Sequence, residues 1–301
     1  MTISYRPHQP LARFVDIVRQ RTRPYRWWLA RPWLGRNASQ RYSKCRSVCL
    51  FIGYPRSGHT ILGSLIDAHP DAMIGHEFDA MLFLRCGFHL RETFPLMEAA
   101  SRRAAGRGRF VGGYNYAVPE MWQGRARDLL VIGDKHGEAT SAEFHKNPWV
   151  LDRLLQEQAI PVRFLHVVRH PFDNIATISK RPLPGLGKWI AGGVVKKSGD
   201  SLLDAENYYF ALVESVMQTL ARAKTLTIHY ESLVAEPHKT LANVCHFLGL
   251  SAPTDYLDAC ASIILPQPKL TRHEIIWPPG TQDRIRERCA AVPFLQGYFD
   301  S

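Results

Sequence analysis

The chain has 301 residues, 46% hydrophobic and 22% charged, the balance of a soluble globular protein with a sizeable core. Its net charge of +11 is uneven, since residues 1–46 hold eleven basic side chains against Asp16 alone and leave about +1 for the other 255. Composition also argues against a bilayer span, which needs ~20 apolar residues in a row, and the six cysteines show neither a C-x-x-C pair nor metal-ligand spacing.

These features set the first expectations. The thiols are reduced and mostly buried, no metal is expected, and a cytoplasmic location follows by default because the first 30 residues lack a signal-peptide core. The near-neutral bulk of the chain argues against nucleic acid as a partner.

The length suits one large domain, residues 47–301, behind a basic, aromatic segment at 1–46. In that segment Leu11, Phe14, Val15 and Val18 fall at helical spacing, and Trp27, Trp28 and Trp33 alternate with arginines. Such a segment can lie on an anionic membrane surface, which would make the protein peripherally attached. It can equally pack its aromatics on the domain and leave its arginines solvated.

From residue 48 strands and helices alternate. The strands expected are 48–53, 72–75, 129–133, 162–168 and 225–229, with helices over 60–69, 77–85, 149–159, 171–180, 204–223 and 237–248. Apolar strands separated by helices predict an α/β fold, a P-loop-like parallel sheet flanked by helices in a single domain. Ligands in such sheets bind beyond the carboxyl ends of the strands, so residues 53–60, 75–77, 133–136, 169–170 and 229–231 are the places to look. The Pro/Gly-rich stretch 181–200 reads as a lid or acceptor loop.

The first strand end is the most informative. Gly53 and Gly58 keep the G-x-x-x-x-G spacing of a nucleotide loop, Thr60 fills its hydroxyl position, and a helix-forming run follows. His59 stands where that loop requires lysine, and Arg56 supplies positive charge instead. The arrangement reads as a phosphate cradle that differs from the ATP type. Other ends carry His76-Glu77, Asp134-Lys135-His136, Arg169-His170-Pro171 and His229-Tyr230-Glu231.

This set of motifs resembles the PAPS-dependent sulfotransferase family over roughly residues 48–250. Pro55-Arg56-Ser57-Gly58-His59-Thr60 resembles its 5′-phosphosulfate loop, and Arg169 with Thr177 eight residues on resembles its 3′-phosphate motif. Tyr230-Glu231-Ser232-Leu233, Pro237 and Phe247-Leu248-Gly249 resemble a later family stretch, and Lys269 with Arg272 its late basic loop. The spacing from the loop through His69-Pro70-Asp71 to Glu77 is closest to the tyrosylprotein and glycan branch.

The resemblance implies that Arg56, Ser57, Gly58, His59, Thr60, Arg169, Thr177, Tyr230 and Arg272 bind PAPS, and that Arg56 and Lys135 offset charge. It makes Glu77 the base that takes a proton from a hydroxyl (or amine) acceptor, with His136 as its rival, on the pattern of the aryl branch. Two other readings stay open. The apolar run ending in Asp134 imitates the magnesium-binding aspartate of a nucleotide kinase or NTPase. A non-catalytic protein gripping a polyanion or membrane through residues 1–46 is the third reading.

Overall fold

A computed structural model describes residues 22–31, 34, 40–157, 160–180 and 198–299. The apolar run Ser47–Gly53 is strand β1, buried along its whole length. The other strands are β2 (Ala72–His76), β3 (Phe110–Val111), β4 (Tyr114–Asn115), β5 (Val131–Lys135), β6 (Val162–Val168) and β7 (Thr225–His229). Five of them form one parallel sheet in the order β2-β5-β1-β6-β7, while β3 and β4 pair as a small antiparallel ribbon.

Alternation along β1 sends Val48, Leu50 and Ile52 into one apolar cluster and Cys49 and Phe51 into another, so the sheet is covered on both faces. On the first face lie α3 (Phe94–Gly106), α4 (Gly137–Lys146), α6 (Pro171–Lys180) and α7 (Ser201–Leu220), through buried residues such as Phe94, Ala142, Ile175 and Tyr209. Helices α1 (His59–Asp67), α9 (Pro237–Leu248) and α10 (Thr254–Ala261) cover the second, through Leu65, Val244 and Tyr256. All six cysteines are free, four of them buried.

The register brings the carboxyl ends of the strands level. Gly53 pairs with Val167, His76 with Lys135 and Val168 with His229. Residues 53–60, 76–77, 135–136, 169–170 and 229–230 therefore meet along one edge.

Four expected strands lie within a residue of their predicted bounds. The fifth is displaced from 129–133 to Val131–Lys135, because the Leu130 N–H bonds to Asp71 O (2.9 Å) and the ladder starts one residue later. That displacement places Asp134 and Lys135 on the strand itself. The helix expected over 77–85 begins only at Ala80 (α2, Ala80–Arg85). Glu77 and Asp79 adopt left-handed backbone angles (φ 53° and 71°), and the Asp134 carboxylate accepts the Phe78 and Ala80 N–H groups, both at 2.9 Å. A buried acid thus replaces the first helical turn with a clamped, strained corner.

In the described part of the basic segment the packing is mixed, for Leu34 and Tyr42 join the core while several of the basic side chains are paired. Arg31 pairs with Glu92, Arg41 and Tyr42 with Glu98, and Lys44 with Asp128, while Trp27 and Trp28 stay 41% and 55% exposed. Glu98 is a nearly buried carboxylate that needs donors, and the segment brings them. Trp33, the helical spacing at 11–18 and residues 181–197 of the expected lid lie outside the described residues.

Candidate active site

The loop leaves β1 at Gly53, whose N–H donates to Ser141 Oγ of α4 (2.9 Å). Arg56 turns through φ 66° and Gly58 through φ 100°, and α1 starts at once with no side-chain cap and no acid in its first turn. An uncapped helix end of this kind directs N–H groups and partial positive charge at the loop. Gly58 has to be glycine for a second reason, because a Cβ there would meet the Tyr230 ring at 2.5 Å. Ser57 is buried, and its hydroxyl accepts from the Asn174 amide (2.7 Å), which pins the loop to α6.

A row of hydrogen bonds crosses the mouth of the loop. Lys135 Nζ donates to Thr60 Oγ1 (3.1 Å) and to Glu77 Oε1 (2.8 Å). The lysine is almost wholly buried, whereas the Glu77 side chain is 52% exposed. Local desolvation opposes ionisation of Glu77, but the Lys135 ammonium and then His136 outweigh it and hold the carboxyl well below its ordinary range. The lysine reaches this position over Gly63, where a Cβ would lie 2.6 Å from Lys135 Cγ. His136 stands at the amino end of α4, and its Nδ1 is buried without a partner among the described residues.

At the other end of the edge, Arg169 is nearly buried. It donates to Arg56 O (3.3 Å) and to Lys269 O, and lies 5.7 Å from the centre of the Tyr230 ring. The 269–273 stretch closes against it: Arg272 N donates to Asp173 Oδ1 (2.7 Å), and Thr271 and Thr177 hydroxyls both donate to Asp173 O (2.7 Å). Arg169, Thr177, Lys269 and Arg272 therefore do come together, although the Thr177 hydrogen is already committed to the backbone.

Two expectations need correction. The His59 imidazole turns inward, with Nε2 3.1 Å from Ile52 O and its ring edge-on to Phe51. Burial, with Lys135 nearby, lowers its pKa to about 3, so it is a neutral packing residue and only its backbone N–H remains on the anion side. Asp134 does not offer a magnesium ligand, because both carboxylate oxygens hold backbone N–H groups and burial raises its pKa.

The profile of the sulfotransferase family matches residues 50–254. The chain belongs to the sulfotransferase family. Protein-tyrosine sulfotransferase 1 of Danio rerio is 26% identical over 220 residues, covering 69% of this chain and 55% of its own length. Protein-tyrosine sulfotransferase 2 of Gallus gallus is 26% identical over 218 residues, covering 70% and 53%. The chain thus spans about half the length of these curated relatives. Among solved structures, sulfotransferase STF9 of Mycobacterium avium matches with a TM-score of 0.52 at 11% identity, over 94% of this chain and 85% of that one, a likeness of fold alone.

Within this member of the family, several residues that shape the site carry no motif. Gly63, Asn174, Ser141 and Asp173 act through contacts made across the sheet edge. Of these, Gly63 inside an otherwise apolar helical run and Asp173 inside the stretch from Arg169 to Thr177 left a trace in the sequence. Glu231, part of the later family stretch, is structural: it accepts His170 N–H (2.9 Å) and Tyr298 O–H (2.7 Å) and so ties β6 to the C-terminal residues.

The edge suits a phosphorylated nucleotide. An uncapped helix end and Arg56 lie at one end. At the other the Arg169 guanidinium keeps a buried Nε with no partner among the described residues.

Proposed function

We propose that the chain transfers a sulfuryl group from PAPS to a hydroxyl acceptor and releases adenosine 3′,5′-bisphosphate. The observation that carries this reading is the Thr60–Lys135–Glu77 row at the mouth of the loop. PAPS supplies a sulfuryl group activated by its anhydride bond to phosphate. Arg56 and the N–H groups of residues 57–60 hold the 5′ end, and Arg169, flanked by Thr177 and Arg272, holds the 3′-phosphate. Tyr230 offers a half-buried ring face beside them.

Glu77 takes the hydroxyl proton as the new S–O bond forms, and Lys135 offsets the charge gathering on the phosphate oxygen as the old S–O bond breaks. The two roles are coupled through their ion pair. While Lys135 contacts Glu77 the carboxylate is a weak base. Once the ammonium turns toward the departing phosphate, that restraint is lost and Glu77 becomes more basic. The protein-tyrosine sulfotransferases that the chain resembles make the phenol of a tyrosine the first acceptor to try.

The kinase alternative loses its carboxylate to the Phe78 and Ala80 amides. A peripheral membrane role remains a second reading, supported by Tyr25, Trp28 and Leu29, exposed at 67%, 55% and 89% beside Arg26. Among the described residues no helix is long and apolar enough to cross a membrane. We also place the domain boundary at 46/47, where β1 begins.

The deciding experiment is a thermal shift with adenosine 3′,5′-bisphosphate, ADP and ATP–Mg. A ligand at 100 times its Kd stabilises by about 2.7 kcal/mol, several degrees for a domain of this size. Stabilisation by the 3′-phosphorylated nucleotide alone is the expected result; a larger shift with ATP–Mg overturns the assignment.

A further inference from the structure

The corner that carries Glu77 is not held by the sheet alone. Glu77 and Asp79 both sit in the left-handed region, and Phe78 between them is buried. Backbone of this kind persists only where the surroundings over-determine it. Asp134 supplies one restraint from β5. The other comes from the basic segment. Residues 22–28 are helical and bring the Arg23 guanidinium over the Phe78 ring, 5.3 Å from its centre.

Phe78 in turn packs on Phe83 (4.7 Å between centroids), Phe83 on Phe88 (5.3 Å), and the Arg31 guanidinium stands 5.5 Å from the centre of Phe88. Arg31 is fixed by both oxygens of Glu92 (2.7 and 2.9 Å), and Glu92 also accepts the His89 N–H (2.7 Å). A stack of three phenylalanines is thus closed at each end by an arginine from the same segment. Arg23 also faces Asp79 and Asp134, the second of which is the clamp of the corner. Arg103 opposes it from α3. The two carboxylates explain why a basic side chain rather than an apolar one covers Phe78.

We propose that Arg23 is a positioning residue for Glu77: from the basic segment it closes over Phe78 and holds the 77–80 corner in the geometry that aims the base. The segment is then part of the catalytic apparatus in addition to any role at a surface. This inference rests on the reading of Glu77 as the base, and its test separates the two.

The experiment uses the full chain with Arg23→Ala, Arg23→Lys, Phe78→Leu and the Arg23→Ala/Phe78→Leu double variant. Amide hydrogen exchange at Phe78 and Ala80, the two N–H groups held by Asp134, reports on the corner whatever the reaction is. Arg23→Ala is expected to speed exchange at both by about 5–30-fold, the range of a partly desolvated cation–π contact. It should lower kcat by a similar factor and leave adenosine 3′,5′-bisphosphate affinity and KM near wild type. Arg23→Lys should restore part of both effects. Because the arginine acts through the ring, the double variant should lose no more than Phe78→Leu alone.

Unchanged exchange at Phe78 and Ala80 in Arg23→Ala overturns the proposal, as does a fully additive double variant. Faster exchange with an unchanged kcat also sinks it, since the corner would then be braced without consequence for the base. A wild-type chain with no sulfuryl transfer to any hydroxyl would refute the proposed function instead, while the exchange data would still report on the brace.

Discussion

The two ends of the candidate site are built on opposite terms. At the Thr60–Lys135–Glu77 end the side chains bind one another, and the carboxylate keeps half of its surface in water. At the Arg169 end Thr177 and Arg272 are tied to Asp173, and Arg169 is tied to the carbonyls of Arg56 and Lys269. The pair joins a buried ammonium to a carboxylate that stays half open to solvent, which leaves Glu77 reachable by an acceptor. The second end is a packed wall in which one charge, Arg169, retains an unmet donor. The comparison predicts that substitutions at the first end act on rate and those at the second on nucleotide affinity or on the fold.

The largest effect tests the rate side. Glu77→Gln keeps volume and polarity but cannot take a proton, and loss of a general base lowers kcat by typically ~10²–10⁴-fold. Affinity for adenosine 3′,5′-bisphosphate, measured by calorimetry, should stay near wild type. His136→Asn should have a far smaller effect on kcat. Near-normal turnover in Glu77→Gln together with a dead His136→Asn would make His136 the base and reverse the roles at this end.

Next is the affinity side. Loss of a charge-assisted contact is worth roughly 1.5–3 kcal/mol. Arg169→Ala should therefore weaken adenosine 3′,5′-bisphosphate by about 10–150-fold while binding of adenosine 5′-phosphate hardly changes. Equal weakening of both nucleotides would show that Arg169 props up Arg56 and the loop and does not read the 3′-phosphate.

Much of this comparison was legible in the sequence. The strands announced themselves as continuous apolar runs, and the carboxyl-end rule then gathered Arg56, Glu77, Lys135, Arg169 and Tyr230 before any contact was known. What stayed hidden depends on register and on side-chain direction. Asp134 looks like a metal ligand when read along the chain, because only the register with β2 reveals that it faces two backbone amides. His59 occupies a motif position, yet its ring turns under the loop toward Ile52 O. Gly63 gains its meaning from a lysine 72 residues away that passes over it. Helices α3 and α4 were missed as well. Their modest apolar patterns are interrupted by Glu98, Ser101, Glu138 and Glu143, which are buried or half-buried for paired or structural reasons.

A smaller effect separates packing histidines from chemical ones. Burial lowers the pKa of His59, His166 and His170 to about 3 each, whereas an unfolded histidine titrates near 6.5. Their stabilising contribution is therefore complete above about pH 6.5 and is lost as pH falls from there toward 3, because the unfolded chain binds protons that the folded one refuses. Each histidine adds up to ~1.4 kcal/mol per pH unit in that window. Denaturant midpoints should fall steadily from pH 7 to pH 4.5, and His59→Gln, itself destabilised, should show a shallower slope. An unchanged slope would mean that His59 is protonated in the folded protein, and it would return to the anion end of the site.

The smallest effect bears on the wall itself. Thr177→Val preserves shape and removes one hydroxyl. That hydroxyl donates to Asp173 O and meets Thr271 Oγ1 at 2.9 Å, so its loss removes one hydrogen bond from the wall while Thr271 still donates to the same carbonyl. The expected cost is about 1 kcal/mol of stability, read as a lower denaturant midpoint. To donate to a 3′-phosphate the hydroxyl must first leave Asp173 O, and one hydrogen bond exchanged for another yields little net free energy. Affinity for adenosine 3′,5′-bisphosphate should accordingly change by less than about threefold. A tenfold loss of affinity with the midpoint unmoved would show that binding of the 3′-phosphate pulls Thr177 away from Asp173. In that case the Arg169 end would be remade by its ligand rather than packed in advance, and the contrast between the two ends would narrow to their charge.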